Sequence, residues 1–234
     1  MYQYAYLLSS SVFLVFWISI FVLRKDLRRQ MLFMSFTGAV AGLLLAYLMY
    51  TVDWWQPLTV TGTRVGFEDA FLGFTNGGLG AILYEVIFKK RERSLRKDSV
   101  IKQFVEKRKW LLWVPGIVAL AASSFSFWVL GWHSFWATNL ACLIAVGLMV
   151  LLRQDLLREA VFGGLAMMLV SIPVFQFAFF FFPEVVERFW MMHNLTGILI
   201  LGIPVEDLVF YFVAGATTAP LYEFLFEKKL VKLS

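Results

Sequence analysis

The stretch that decides the reading is Gly202-Ile203-Pro204-Val205-Glu206-Asp207-Leu208-Val209-Phe210-Tyr211-Phe212, inside an apolar run that continues to Phe226. Two adjacent carboxylates in a hydrocarbon-like run are costly, roughly 2.5–3.5 kcal/mol each on insertion scales, so they mark function by default. The stretch has an echo in Gly66-Phe67-Glu68-Asp69-Ala70-Phe71-Leu72-Gly73-Phe74. Downstream of each copy lies Leu-Tyr-Glu, at Leu83-Tyr84-Glu85 and at Leu221-Tyr222-Glu223, fifteen residues after the first acid in both cases. One acidic pair in a first helical turn is ordinary, because a helix N-terminus favours negative charge. Its recurrence in fixed register with a second motif points to function.

Working outward, 60% of the chain is hydrophobic and 16% charged, with 25 Phe. Soluble domains are about half apolar and a quarter charged. The apolar runs approach or exceed the ~18–20 residues needed to cross a bilayer. The expectation is an all-α polytopic membrane protein with seven transmembrane helices over 4–23, 31–54, 68–88, 110–131, 135–152, 160–182 and 198–226. The first of these reads as a span and not a cleavable leader, because no basic segment precedes it and Arg24-Lys25 follow it. The single Cys142 excludes an intrachain disulfide.

The net charge of +5 does not indicate nucleic acid, because the basic residues lie between the apolar runs. Segments 24–30, 89–109, 153–159 and the tail hold 19 of the 21 Lys and Arg, leaving Arg64 and Arg188 on the other side. The positive-inside rule makes the richer side cytoplasmic, with the N-terminus outside and the C-terminus inside a cell membrane. Trp54, Trp55, Trp132, Trp136 and Trp190 gather at the opposite ends, as an aromatic belt does.

Arg24-Lys25-Asp26-Leu27 after the first span resembles Arg153-Gln154-Asp155-Leu156 after the fifth. Spans 1–3 therefore match spans 5–7 as two parallel three-helix repeats, with span 4 as the connector. The expected division is a first repeat over 1–88, a loop and connector helix over 89–134, and a second repeat over 135–234. The offset between copies is 129 residues at Asp-Leu and 138 at Glu-Asp, so the second copy carries nine extra residues between its second and third spans. Paired repeats usually place a functional site at their interface. Residues 94–105 suit either an amphipathic surface helix or a solvated loop.

Two placements of the carboxylates are open. Either a helix starts near Pro204, which suits a first turn, and Leu195 to Ile203 is a separate interfacial piece, or one long tilted helix holds the acids deeper. Burial and the mutual repulsion of four converging carboxylates outweigh a helix-dipole contribution of about 1 kcal/mol. At least one acid is expected to carry a proton at neutral pH.

At this point a resemblance can be stated. Pro204-Val205-Glu206-Asp207 with Phe210 and Phe212, Asp53-Trp54-Trp55, the repeat and the length are similar to the lycopene cyclase domain family, in which two small subunits or one fused chain cyclise the ends of lycopene. The first copy, Gly66-Phe67-Glu68-Asp69, lacks the proline. The resemblance implies proton-initiated cyclisation of lycopene or a related carotenoid, a non-redox isomerisation of the intramolecular-lyase type. It implies Glu206, Asp207, Glu68, Asp69 and Asp53 as catalytic candidates, with Glu206 as the principal proton donor. Pro204, Phe210, Phe212, Phe71, Phe74 and Trp54 are the substrate-binding candidates. The chemistry asks for a buried neutral acid, aromatic faces for the carbocation and exclusion of water. Gly73 to Gly80 does not read as a dinucleotide fingerprint, so no cofactor is expected. Expected partners are the lycopene-like polyene, the lipid bilayer and other enzymes of the carotenoid pathway.

Two other classes fit a seven-span chain. A proton-coupled transporter would use the repeated carboxylates. A retinal pigment or receptor would need a Schiff-base Lys that spans 6 and 7 do not contain. Glu85 and Glu223 read as ion-pair partners of Lys89, Lys90 and Lys228 on helix faces. His133 and His193 are isolated, so no metal is expected from them; His193 is a candidate proton shuttle for Glu206. Phe175 to Phe182 are cavity or lipid-facing bulk, and Pro115, Pro173 and Pro220 are expected to kink their helices.

Overall fold

A computed structural model of the chain describes residues 2–95 and 109–233. The surface helix considered over 94–105 lies, from residue 96 on, outside the described residues, and Ser94 itself ends a strand. The fold is mostly helical. α1 (Ala5–Leu23) and α2 (Arg28–Leu45, extended by widened turns to Asp53) are followed by α3 (Phe67–Gly80) and α4 (Leu83–Ile87). α5 (Val114–Ser124) leads into a second series: α6 (Ser134–Leu152), α7 (Leu157–Phe181), α8 (Val185–Phe189), α9 (Val205–Thr218) and α10 (Leu221–Leu225).

Among the described residues five stretches are long and apolar enough to cross a membrane: Tyr2–Leu23, Lys25–Asp53, Ser134–Leu152, Gln154–Phe181 and Val205–Leu225. The other two expected spans are shorter. Residues 68–88 are α3 and α4, separated by a break at Ala81 and Ile82, and residues 110–131 contain the apolar helix Val114–Val129. Pro115 sits in the first turn of that helix and starts it, instead of kinking it as expected. A missing N–H costs nothing there. The expected span from 198 is also corrected, since the helix begins at Val205.

The all-α expectation needs one amendment: the described residues include two short antiparallel ribbons. β1 (Lys90–Ser94) pairs with β4 (Lys228–Lys232), Lys90 opposite Lys232, so both helical series end on one ribbon. These strands are polar, short and more than a hundred residues apart, and no apolar alternation announces them. β2 (Leu199–Ile200) pairs with β3 (Ile203–Pro204) across the two-residue turn Leu201-Gly202. Both turn residues have positive φ, 55° and 79°. That is the hairpin turn geometry that glycine favours.

Small residues set the packing within each series. A Cβ at Gly38 or at Gly73 would meet the other's main chain, so α2 and α3 approach backbone to backbone. On the other side a Cβ at Gly164 would meet the Phe212 carbonyl at 2.6 Å and one at Gly215 the Met167 Cβ at 2.6 Å, which draws α7 onto α9. Close small-residue contacts substitute for the hydrophobic effect where the surroundings are themselves apolar.

Arginines fix the end of the fold near the β1–β4 ribbon. Arg153, 1% exposed, pairs with Asp155 at 2.6 Å and donates to the carbonyls of Glu223 and Lys228, each at 2.8 Å. Arg24 repeats the set, pairing with Asp26 at 2.8 Å and donating to the carbonyls of Glu85 (3.2 Å) and Lys90 (2.6 Å). Each guanidinium thus ties a helix–helix corner to a short helix and to the ribbon.

Candidate functional site

α3 begins at Phe67 and α9 at Val205, so in both helices the acids hold the second and third positions. Successive helical residues point about 100° apart. Adjacent acids cannot therefore share one destination, and here they do not. Glu68 accepts the Val60 amide and Glu206 the Thr196 amide, both at 2.7 Å, so each glutamate holds down the loop before its helix. The aspartates turn the other way, into the space between the two series. Tyr6 donates to Asp69 at 3.0 Å, and Trp190 Nε1 donates to Asp207 at 2.7 Å.

The helix caps make the two aspartates unequal. Asp69 also accepts the amide of its own cap residue, Gly66, at 2.9 Å. The cap residue of α9 is Pro204. Proline has no N–H, so the matching bond cannot form, and Asp207 keeps a single side-chain donor among the described residues. Sequence reading gave proline a structural part in the first turn. Its chemical consequence is a less encumbered carboxyl group.

Asp69 and Asp207 line one cavity of about 340 Å³, between the two helical series. Its walls are overwhelmingly apolar and aromatic. Trp54 and Phe210 meet edge to face at 5.1 Å, as do Tyr6 and Trp55 at 5.0 Å and Phe175 and Tyr211 at 5.8 Å, while Trp55 and Trp190 are tilted at 5.5 Å. Asn76 and Thr138 are among the few polar groups in the wall. The loops after α2 and α7 close one end by pairing with each other. Gln56 N donates to Phe189 O at 2.6 Å and Met191 N to Trp54 O at 2.9 Å. The nine extra residues of the second copy fall in this closing region, in the segment that builds α8 and the β2–β3 hairpin.

Of the other sequence candidates, Trp54 and Phe210 line this cavity, while Phe71, Phe74, Phe212 and Pro204 do not. Phe74 packs on Trp17 and Phe36 instead. Among the phenylalanines of 175–182, Phe175 reaches the cavity, whereas Phe180 is 79% exposed. Asp53 is outside the cavity as well. It accepts the Ser134 amide at 3.0 Å, while its main-chain oxygen takes His133 and Asn194. It anchors the start of α6 to the end of α2. Glu206 faces a smaller space lined by His133, Phe135, Trp136, Asn194, Leu195 and Thr196; the expected proton shuttle, His193, is not among its lining residues.

Sequence reading missed Tyr6 and Trp190 as the partners of the two aspartates. Neither belongs to a motif, and both are brought in by helix packing. It also misplaced Glu85 and Glu223, which are fully buried and make no ion pair with the nearby lysines.

A family model described as lycopene cyclase matches residues 3–87 and 132–225, most of the chain and both acidic motifs. No curated protein and no solved structure gives a significant match. The two matched regions meet at the aromatic cavity that carries Asp69 and Asp207, and the chain belongs to the lycopene cyclase family.

Proposed function

We propose that the chain cyclises the acyclic ends of lycopene or a related carotenoid, without redox chemistry, in one cavity shared by its two halves. The observation that carries this reading is the convergence of Asp69 and Asp207 on a single buried aromatic space. Asp207 is the proton donor. It is buried, has one donor to it, and is costly to keep charged in apolar surroundings. Its proton adds to the terminal double bond and leaves a tertiary carbocation. The neighbouring alkene closes on that cation, forming the ring carbon–carbon bond and moving the charge into the ring. Loss of a ring proton to a carboxylate restores the double bond, so atoms and electrons balance as an isomerisation. The faces of Trp54, Trp55, Trp190 and Tyr211 stabilise the cation while the paired loops exclude water. Asp69, held by Tyr6 and Gly66 as the better-solvated anion, is the fitting acceptor. Glu68 and Glu206 position the motif helices by binding their loops.

On this reading the N-terminus lies outside and the C-terminus on the cytoplasmic side of a cell membrane, which the 19-to-2 distribution of Lys and Arg supports. α3–α4 and Val114–Val129 supply the two further crossings of a seven-span arrangement. The organisation is a first unit over 1–88, a connector over 89–134 and a second unit over 135–234. Support for two related units comes from the recurring Arg24 and Arg153 contacts and from the Val60 and Thr196 loop bonds.

The test is to reconstitute the purified chain in liposomes with lycopene and no flavin or nicotinamide, and to analyse the pigments. Cyclic products are expected. Strict dependence on a reduced flavin would overturn the proton-initiated mechanism.

Pro204→Ala is a sharper probe of the cap asymmetry. The new N–H is placed to donate to Asp207 as Gly66 N does to Asp69, stabilising its anion and weakening it as an acid. One charge-assisted hydrogen bond contributes about 1.5–3 kcal/mol, so cyclisation should slow roughly tenfold or more with the fold intact. Unchanged rates would show that the proline serves only to start the helix.

A further inference from the structure

We propose that Glu85, Glu159 and Glu223, none of which lines the aromatic cavity, bind one hard divalent cation (Mg²⁺, Mn²⁺ or Ca²⁺) at the seam between the two halves. Glu85 comes from α4, Glu159 from α7 and Glu223 from α10, so the cluster exists only when the halves are assembled. One carboxylate oxygen from each lies within 4.8 Å of the others. The three residues are 0%, 3% and 0% exposed. Oxygens bound to a common ion at roughly 2.1–2.5 Å lie no more than about 5 Å apart, which this spacing satisfies. An all-oxygen donor set with neither His nor Cys selects hard cations.

The acids alone would not carry the assignment. The second observation is Gln30 of α2, 0% exposed, whose amide head is inserted between two of them. Its Nε2 donates to Glu85 at 2.8 Å, to Glu223 at 3.1 Å and to the Ala81 carbonyl at 2.8 Å. Its Oε1 is buried without a partner. So are Glu85 Oε2, Glu159 Oε1 and Glu223 Oε2. Buried polar atoms are nearly always satisfied, and a set of orphans in one place calls for an unseen partner. Neighbouring positive charge does not answer that need. Arg24 and Arg153 are each paired with an aspartate, and they reach the main-chain oxygens of Glu85 and Glu223 instead of their carboxyl groups. Among the described residues no lysine or arginine contacts the three carboxyl groups. A buried carboxylate without a counter-ion costs several kcal/mol, and a divalent ion removes that cost for all three acids together.

The cation ties α4 of the first half to α7 and α10 of the second. Gln30 and Glu159 each stand six residues after Arg24 and Arg153, so Glu159→Gln puts the residue of one half at the matching position of the other. That change keeps the shape of the site while removing one ligand charge.

The full chain, purified in detergent and freed of metal with EDTA, would be titrated with Mn²⁺ by electron paramagnetic resonance and calorimetry. Thermal unfolding would be followed with Mg²⁺, Mn²⁺ and Ca²⁺. One Mn²⁺ per chain is expected. A rise in Tm of roughly 5 °C is expected for the preferred ion at a hundredfold excess over its Kd. Glu159→Gln and Glu85→Gln should each weaken Mn²⁺ binding at least tenfold and cut the metal-dependent rise in Tm at the same concentration to about half or less. Wild-type chain that takes up none of the three ions overturns the proposal. So does an infrared carboxylic-acid band that persists under saturating Mn²⁺ yet disappears in Glu159→Gln, because the acids are then sharing a proton. Unaltered Mn²⁺ binding by both variants also overturns it, by locating the ion elsewhere.

Discussion

Asp207→Asn should leave cells that make lycopene with lycopene alone, while the variant accumulates and keeps its helical content. Asparagine fills the same space and its carbonyl still accepts the Trp190 Nε1 bond of 2.7 Å. What it lacks is the transferable proton. General acids contribute about 10²–10⁴-fold, and no other acid in the cavity is so lightly held, since Asp69 is bonded by both Tyr6 and Gly66. Glu206→Gln is the control. Its oxygen can still accept the Thr196 amide, so cyclisation should fall less than about tenfold. The sequence alone favoured Glu206 as the donor, because it is the better-kept position of the motif. The reverse pattern, with Glu206→Gln inactive and Asp207→Asn active, would return the role to Glu206 and make the large cavity incidental. The readout is chromatography of the pigments, normalised to protein level.

Arg153→Ala should be the most damaging substitution away from the cavity. The side chain is 1% exposed and satisfies Asp155 and two carbonyls. Asp155 is 39% exposed and water can solvate it, but the carbonyls of Glu223 and Lys228 would lose their donor, and a buried acceptor left unsatisfied costs about 1–3 kcal/mol. A natural domain has only about 5–15 kcal/mol to lose. The folded fraction in detergent, followed by size-exclusion profile and thermal unfolding, should collapse. Arg24→Ala should do less, because Arg24 is 15% exposed against 1% for Arg153, so water can reach the carbonyls it leaves behind. Arg153→Lys should rescue poorly, since an ammonium cannot reproduce the forked geometry that holds Asp155 and both carbonyls. Equal, mild effects at both positions would mean that the two corners are not structural fasteners.

Composition and run length were enough to suggest a membrane protein, because 60% apolar content gathered in runs of bilayer-crossing length exceeds what a soluble fold carries. Register was enough to pick out the acidic stretches, since adjacent carboxylates in an apolar run have no cheap structural explanation. Which acid of each pair meets the cavity is a matter of where the helix starts. The 100° step between neighbours then sends the glutamate to its loop and the aspartate inward. That was half legible, because Pro204 marked a helix start that the sequence left open beside a longer helix. The partners were not legible at all. Tyr6 is 63 residues from Asp69, and Gln30 is 193 from Glu223, so only the packing that sets α1 beside α3 and α2 beside α10 brings them together. Glu85 and Glu223 show the limit most clearly. One turn from lysines in sequence, they read as surface ion-pair partners. The close approach of the two halves instead buries them with Glu159, because each short helix is turned inward by an arginine clamped to its carbonyl.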